Sequence, residues 1–304
     1  MANAKEIKRK IGSIKNTAKI TKAMELISTV KMKKAQDLAI EKREFVLEML
    51  KIFLRVEDYL SDFPLFSVKN SGKKTLGVVI TSNKGLCGGY NVNVMKKVNS
   101  YVNETNEDLD FIAVGKKASN FIVRTGNNLI ADFSDDFSDN LEPVFTKEIS
   151  EFMRDHFLSG KYNKVVVFYN FYVNTIRQIP VAKVSLPIDS VDIKNYLFSI
   201  LDGHVDLEKE IEEMKNGYIY DVEPTIETYL SEVLPMILDM MFYDVLLNAK
   251  ASEHSSRMIA MKNAKDSANK IAKALTLKYN KARQAGITSE VSEITAGVES
   301  MKDI

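Results

Sequence analysis

Cysteine, proline and tryptophan are scarce in this sequence of 304 residues, which has one cysteine, six prolines and no tryptophan. A single cysteine excludes an intramolecular disulfide framework and favours a reducing compartment. No apolar run reaches the roughly 18 to 20 residues that span a bilayer, and the charged start lacks an apolar signal core. We therefore expect a soluble protein, or one that associates with a membrane through partners.

The formal net charge of +1 conceals a strong asymmetry. Residues 1–36 contain ten Lys and Arg against two acidic residues, Glu6 and Glu25, while acidic clusters at residues 132–139 and 206–213 compensate. Such a basic end fits an acidic partner, whether nucleic acid, an anionic membrane or an acidic protein surface. An organellar transit peptide is disfavoured because Lys, not Arg, dominates and two glutamates interrupt the segment.

Proline and glycine are distributed unevenly along the chain. Neither residue occurs between Gly12 and Pro64 or between Pro235 and Gly286. Each gap of about 50 residues would form a helix roughly 75 Å long. Apolar residues in both gaps follow a spacing of three and four, which is typical of a coiled-coil seam. The seam residues are Ile7, Ile11, Ile14, Ala18, Ile20, Met24 and Ile27 near the start, Ala264, Ala268, Ile271 and Leu275 near the end, and then Ile287, Val291, Ile294, Val298 and Met301.

Strand-like and helix-like segments alternate between these two helices. The strand candidates are residues 76–81, 111–114, 129–133 and 164–172, the helices are 92–102, 118–124 and 143–157, and residues 175–186 form a further strand or hairpin arm. Such alternation indicates βαβ units. We predict an α/β fold in which a mostly parallel, Rossmann-like sheet domain is inserted between two long terminal helices that form an antiparallel coiled coil. The predicted parts are residues 1–63, 64–222 and 223–304.

A glycine-rich loop, TSNKGLCGGY at residues 81–90, directly follows the first predicted strand. Loops at the carboxyl ends of strands hold the ligand sites of α/β sheets, so this loop is a candidate phosphate site. The dinucleotide pattern G-x-G-x-x-G fails because Cys87 stands where the second glycine is needed. The phosphate-loop pattern also fails, because the nearest candidate, Gly72-Lys73, precedes the strand and lacks the first glycine and the final Ser or Thr. Nucleotide binding is therefore disfavoured.

The same loop holds the single cysteine of the chain. A thiol enzyme needs a neighbouring base or a cationic environment to generate the thiolate. Lys84 is the one nearby cation, and none of the three histidines, His156, His204 and His254, has a recognisable partner pattern. We interpret Cys87 as a packing residue.

Metal and nucleic-acid sites have little support. Glu253-His254 is followed by Met258 where a second metal ligand would stand, and no cofactor is expected. The basic N-terminal helix lacks interleaved aromatic residues. The residues alone leave three classes open: a non-catalytic α/β protein with a coiled coil, a nucleotide- or thiol-dependent enzyme that uses the loop from Gly85 to Gly89, and a coiled-coil adaptor that binds nucleic acid.

Three blocks of the sequence resemble the gamma subunits of F-type ATP synthases. They are AKEIKRKIGSIKNTAKITKAMELISTVKMKKAQ near the start, GLCGGYN in the loop, and ASEHSSRMIAMKNAKDSANK with YNKARQAGITSEVSEI near the end. The resemblance covers the chain essentially from end to end. It implies a rotor shaft: a coiled coil inside a ring of alpha and beta subunits, and an α/β domain on the c ring beside epsilon.

In that family, ion flow turns the c ring and the shaft drives the beta subunits through their conformations without bond chemistry of its own. The implied partners are the alpha, beta, epsilon and c-ring subunits, with delta in the same complex, and no nucleic acid. The implied location is the cytoplasmic face of the bacterial plasma membrane, reached through the complex.

The resemblance also assigns individual residues. The contacts with the beta and alpha subunits fall on Met24, Arg257, Arg283, Gln284 and Thr288. An apolar shaft tip, turning in an apolar collar, comprises Ile287, Val291, Ile294 and Val298. Lys84 and Cys87 lie in the loop near the beta lever and epsilon, and Tyr220 and Asp221 belong to the foot on the c ring.

The chain departs from the family pattern at two places. Val222, beside the foot pair, stands where many relatives have proline, and KDSANK differs from the more usual acidic block. The cysteine-bearing insert of chloroplast relatives is absent, which favours a bacterial protein.

Overall fold

The computed structural model describes residues 2–41, 43–56, 74–135, 137–138, 143–188, 190–201, 223 and 225–302. It contains two compact units, Met1–Thr29 with Arg257–Ile304, and Val30–Ser256. The first and last helices each contribute residues to both units.

Helices and strands alternate through the middle of the described chain, as predicted. The helices are α1 (Ala2–Glu41), α2 (Arg43–Val56), α3 (Tyr90–Thr105), α4 (Lys116–Arg124), α5 (Pro143–Leu158), α6 (Ser190–Leu201) and α7 (Ile226–Lys302). The strands are β1 (Lys74–Ile80), β2 (Asp108–Val114), β3 (Asn128–Asp132), β4 (Tyr162–Tyr172) and β5 (Gln178–Leu186). The sequence did not predict α6.

The five strands form one sheet in the order β3-β2-β1-β4-β5. The pairs β1–β2, β1–β4 and β2–β3 are parallel, with Val78 opposite both Ile112 and Val167. The edge strand β5 pairs antiparallel with β4, so residues 178–186 are the second arm of a hairpin. The predicted mostly parallel sheet is therefore confirmed.

Both faces of the sheet are covered, because successive strand residues point to opposite sides. Val78 belongs to the larger core, which α2, α5, α6 and the first part of α7 complete. Its neighbour Val79 belongs to the smaller core on the other face, beneath α3 and α4. Central strands buried on both sides explain the continuous apolar run of β1.

The two long helices are also confirmed. Helix α7 runs from Ile226 to Lys302, with Pro235 inside it, and α1 and α2 cover most of the first predicted helical segment. The predicted boundaries at residues 63/64 and 222/223 lie outside the described residues or at their edge, and they stay predictions.

Candidate functional site

The first unit consists of residues 2–29 of α1 and 257–302 of α7, which we call the helix pair. The buried positions on α1 step by three and four residues, as in a coiled-coil seam. They are Ile11, Ala18, Thr21 and Ser28, with Ile7, Ile14 and Glu25 partly buried in the same series. On α7 the buried positions are Arg257, Met261, Ala268 and Ala272, followed by the partly buried Leu275, Tyr279 and Ala282.

Seven residues that the sequence predicted for the seam are instead exposed. Three lie within the paired stretch: Ile20, Ile27 and Ile271, with exposed fractions of 61%, 54% and 51%. The other four are Ile287, Val291, Ile294 and Val298 near the end of α7. The prediction followed apolar residues, whereas the seam keeps its spacing through Thr21, Ser28 and Ala272. Thr21 is tolerated because its hydroxyl donates to the carbonyl oxygens of Thr17 (3.0 Å) and Ala18 (3.1 Å), which satisfies its polar group.

An ion pair joins the two helices of the helix pair and, with the residues that belong to each unit, gives their relative direction. Lys265 Nζ lies 2.7 Å from Glu25 Oε2, with about one-fifth of each side chain exposed. The hydrogen bond to Glu25 raises the pKa of Lys265 above its ordinary value. A parallel arrangement would set the start of α1 against α7 residues that belong to the other unit, so the two helices are antiparallel.

The end of α7 extends beyond this pairing. With Glu25 facing Lys265, the start of α1 at Ala2 lies opposite α7 near residue 288. From Ile287 onward α7 is exposed as far as its burial is described. Ile287, Val291, Ile294 and Val298 form one stripe along this end, each more than half exposed. We call these four residues the apolar tip.

The remaining shaft residues from the sequence prediction are dispersed along the helix pair. Met24 is partly buried on α1, and Arg257 is 8% exposed at the start of the α7 seam. Arg283, Gln284 and Thr288 are exposed, and the Thr288 hydroxyl donates to the Gln284 carbonyl oxygen (3.0 Å). Tyr220 and Asp221, predicted for the foot, lie outside the described residues.

In the second unit, the glycine-rich loop connects β1 to α3. Asn83 ties it to two neighbouring loops: its side-chain nitrogen donates to the carbonyl oxygens of Ser134 and Phe137, both at 2.9 Å, and its oxygen accepts from Lys116 N at 2.8 Å. Gly88 has a φ of 57°, which glycine adopts without strain. The loop is thus fixed across the carboxyl ends of three parallel strands.

The thiol of Cys87 is packed inside this loop. Its exposed fraction is 2%, Asn91 Nδ2 lies 3.2 Å from the sulfur, and Ser82 Oγ lies at 3.6 Å. Lys84 is exposed, and its carbonyl oxygen accepts a 2.6 Å hydrogen bond from Ser82 Oγ. A buried thiol held by an amide and a hydroxyl is a packing element, while Lys84 presents its charge at the surface.

The crevice in which α/β sheets bind nucleotides is filled by the chain itself. This position lies between the carboxyl ends of β1 and β4, where the strand order reverses. Tyr90 is 2% exposed there, and its hydroxyl donates to the Ala249 carbonyl oxygen of α7 at 3.1 Å. Asn170 Nδ2 donates to the Tyr90 carbonyl oxygen at 2.9 Å, and Ser252 Oγ donates to the Asn170 carbonyl oxygen at 2.9 Å. Residues of α7 therefore occupy the space that a nucleotide would need.

A charged cluster that sequence reasoning missed lies at the amino ends of the parallel strands. Asp110 is 2% exposed and accepts hydrogen bonds from Tyr162 Oη (2.8 Å), Asn128 Nδ2 (2.9 Å) and Lys74 Nζ (3.3 Å). Burial alone would raise the pKa of Asp110, but the bonds from Asn128, Tyr162 and Lys74 hold it below its ordinary value. A carboxylate at the start of an otherwise apolar strand was the available signal.

Metal-ligand groups and bilayer-spanning helices are two features that the described part of the chain lacks. No group of three or more His, Cys, Asp and Glu in these residues is arranged to hold a metal ion. Nor does any helix in the same residues have the length and apolarity that a bilayer span requires.

The described residues contain an antiparallel helix pair with an exposed apolar tip. They also contain an α/β domain in which helix α7 closes the ligand crevice. These two features define a class of fold, an α/β protein with a coiled coil. Comparison with known proteins agrees. A family model described as ATP synthase matches residues 3–301. The ATP synthase gamma chain of Opitutus terrae is 37% identical, with 97% of this chain and 98% of the relative covered. That of Pelotomaculum thermopropionicum is 34% identical, with 99% and 100% covered.

Solved structures agree with these relatives. The central stalk and c-ring structure of the Tetrahymena thermophila mitochondrial ATP synthase has a TM-score of 0.58 at 26% identity, covering 81% of this chain and 99% of the other. A Euglena gracilis mitochondrial ATP synthase chain has a TM-score of 0.63 at 18% identity, covering 99% and 95%, and shows the shared fold. The chain belongs to the ATP synthase gamma-chain family, and its role is that of the central rotor shaft of an F-type ATP synthase.

Proposed function

We propose that the helix pair turns within the ring of alpha and beta subunits, and that the α/β domain receives torque from the c ring, with epsilon beside it and delta elsewhere in the complex. The observation that carries this proposal is the apolar tip. Four large apolar side chains on one exposed stripe need an apolar surrounding surface. A collar that contacts them by non-directional apolar packing permits turning, because no specific bond has to break at each position.

The basic surface of α1 provides the second part of this proposal. Charge attraction across solvent has little directional preference, so a basic helix can interact with acidic loops of the beta subunits at several rotational positions. Met24, Arg257, Arg283, Gln284 and Thr288 are the residues we propose for contacts with beta and alpha. Tyr220 and Asp221 are proposed for the foot on the c ring.

We propose further that the chain carries out no bond chemistry. The buried Cys87 thiol and the closed crevice between β1 and β4 favour a structural role over the thiol- or nucleotide-dependent enzyme that the sequence left open. Attachment to the membrane would come through the complex, at the cytoplasmic face of a bacterial plasma membrane.

Assembly provides the direct test of this function. The chain should form a stable complex when co-expressed with its own alpha and beta subunits, and ATP hydrolysis by that complex should depend on it. Failure of the three to assemble under conditions in which related subunits do so would remove the proposal. Salt-sensitive binding of DNA or RNA by the isolated chain would instead support the nucleic-acid adaptor.

A charge on the apolar tip should slow the rotor. In Ile294→Lys, a cation would have to leave water for an apolar collar, at a cost of about 1–3 kcal/mol, which corresponds to turnover that is slower by roughly 5-fold to 150-fold. Ala296→Lys is the matched control, since it is exposed and about 200° away around the helix. ATP hydrolysis by the assembled complex is the measurement, and equal rates for the two variants would count against the tip.

Lys84 should affect coupling without affecting assembly. Lys84→Ala removes an exposed charge from a loop that is fixed to the sheet, so the loop should keep its shape while its attraction to an acidic beta loop weakens. We expect fewer ions pumped per ATP hydrolysed, measured in reconstituted vesicles. The control is Lys96→Ala, an exposed lysine on the following helix. Unchanged coupling in Lys84→Ala would leave the loop with a purely structural role.

Cys87→Ala distinguishes between the two hypotheses of a rotor shaft and a thiol-dependent enzyme. The sulfur is buried and its neighbours are an amide and a hydroxyl, so its loss should cost some packing energy and leave coupled activity near normal. Coupled ATP synthesis by the variant complex is the measurement. Abolished turnover in a fully assembled complex would support thiol chemistry.

A further inference from the structure

Helix α7 is held inside the second unit by directional polar bonds as well as by apolar packing. The bonded stretch runs from Pro235 to Ser256 and lies entirely within that unit. Its partners come from five places: α5, α6, the start of α3, the end of β4 and the β4–β5 turn with the start of β5. We call this stretch the gripped segment.

Arg154 provides the first strong bond. This α5 residue is 9% exposed, and its Nη1 donates to the carboxylate of Asp239 and to the Pro235 carbonyl oxygen at 3.4 Å. Ser150 Oγ accepts from the same nitrogen at 3.0 Å and orients the guanidinium. A single side chain thus holds two points that are one helical turn apart on α7.

Tyr196 provides the second strong bond. This α6 residue donates its hydroxyl to the carboxylate of Asp244, and its oxygen lies 3.3 Å from the Met240 carbonyl oxygen. Burial raises the pKa of Tyr196 well above its ordinary value, so the hydroxyl remains protonated and available as a donor. Asp244 itself is 8% exposed, which shields the bond from water.

The two carboxylates lie on different sides of the helix. Asp239 and Asp244 are five residues apart, which places them about 140° apart around the helix axis. Bonds on two sides, made to two different helices, resist rotation of α7 about its own axis, since turning it would stretch both. Apolar contacts resist such a rotation less, because they have little directional preference.

The proposed shaft function gives this arrangement a purpose, and the inference rests on that function. We propose that Arg154 and Tyr196 are positioning residues for torque transfer: they lock the α/β domain to α7 so that rotation of the domain turns the helix without slip. The neutral bonds of Tyr90, Ser252, Ser255 and Ser256 reinforce the same grip. Helix α7 then continues without interruption to Lys302.

The test uses the assembled complex in a Cys87→Ala background. Spin labels at Ser100→Cys on α3 and Lys262→Cys on α7, both exposed positions, report the distance between the domain and the helix. Tyr196→Phe removes one oxygen atom and keeps the ring. Arg154→Met keeps a long side chain but removes the guanidinium group, and Arg154→Lys keeps a positive charge at this position. The matched control is Lys147→Met, which breaks an exposed ion pair on the same helix as Arg154.

The expected increase in the variance of the label distance follows from the number and strength of the hydrogen bonds that each variant removes. Charge-assisted bonds are roughly twice as strong as neutral ones, so the bonds of Arg154 and Tyr196 together supply more than half of the polar restraint on the gripped segment. The variance of the label distance should rise at least about twofold in the Arg154→Met/Tyr196→Phe double variant and by about a third in Tyr196→Phe alone. The number of ions pumped per ATP hydrolysed should fall in the same order. Arg154→Lys should recover part of both losses, and Lys147→Met should match the parent.

Each outcome decides the inference. If Tyr196→Phe and Arg154→Met both have the same variance of the label distance and the same number of ions pumped per ATP hydrolysed as the parent complex, the inference is wrong. If Arg154→Met does not assemble, Tyr196→Phe still decides, because the loss of a hydroxyl leaves the core packing unchanged. A parent complex that hydrolyses ATP without turning this chain would instead remove the proposed shaft function itself.

Discussion

Gly115→Ala should destabilise the α/β domain by about 3 kcal/mol or more. Gly115 joins β2 to α4 with a φ of 106°, a backbone conformation that residues other than glycine rarely adopt. An added Cβ would lie 2.3 Å from the Thr81 carbonyl oxygen, well inside van der Waals contact. Thr81 cannot retreat, since its N–H donates to the Val114 carbonyl oxygen at 2.9 Å and its hydroxyl accepts from Ala118 N at 2.7 Å.

The measurement is chemical denaturation of the purified chain. Gly126→Ala is the matched control, because Gly126 also has a positive φ, of 75°, but no atom beyond its two chain neighbours lies within 4 Å of the added carbon. It should cost only the backbone term of about 1–2 kcal/mol. If both variants lose the same free energy of unfolding, the close approach of Gly115 to Thr81 does not contribute to the destabilisation.

Asp110→Asn should lower the free energy of unfolding by about 2–3 kcal/mol at neutral pH. The variant keeps the size of the side chain but replaces a buried anion that accepts from Tyr162, Asn128 and Lys74. Asp108→Asn is the control, because Asp108 pairs with the same lysine at 3.1 Å from a side chain that is 67% exposed. Exposed pairs contribute about 1 kcal/mol or less.

The effect of Asp110 should also depend on pH in a defined direction. Its pKa is lower in the folded chain than in the unfolded chain, where a value of about 3.9 is typical. The carboxylate therefore adds stability above that pH, and the contribution is lost as the pH falls through the folded pKa. The parent and the Asn variant should converge in stability as the pH drops below about 4. A constant difference between them at all pH values would contradict this assignment.

The sequence correctly predicted the helices and strands that are marked by a run or a regular spacing of apolar residues, or by a proline at the start of the element. Strand β1 and helix α5 are found where an apolar run and an initial Pro143 indicated them. The coiled coil was predicted from its apolar positions, but the residues that form its seam after Ala18 were not predicted correctly. Thr21 and Ser28 occupy the seam because small side chains fit between close helices, and a rule that follows large apolar residues passes over them.

The parts that depend on long-range contacts could not be read from the sequence. Asp110 acquires its partners from β1, β3 and β4, which only the sheet brings together. Tyr90 closes the crevice by reaching Ala249, more than 150 residues away along the chain. The failed phosphate motifs disfavoured nucleotide binding at this position, but they could not show that residues of α7 fill the space between β1 and β4.

Rotation of this chain within its own complex is the most direct test of the proposed shaft function. A complex with alpha and beta would be fixed to a surface through the beta subunits, and a probe would be attached to the α/β domain at Ser100→Cys, which is exposed while Cys87 is buried. On addition of ATP, we expect continuous rotation in one direction, with one pause per turn for each beta subunit. ATP hydrolysis at full rate with a stationary probe would contradict it.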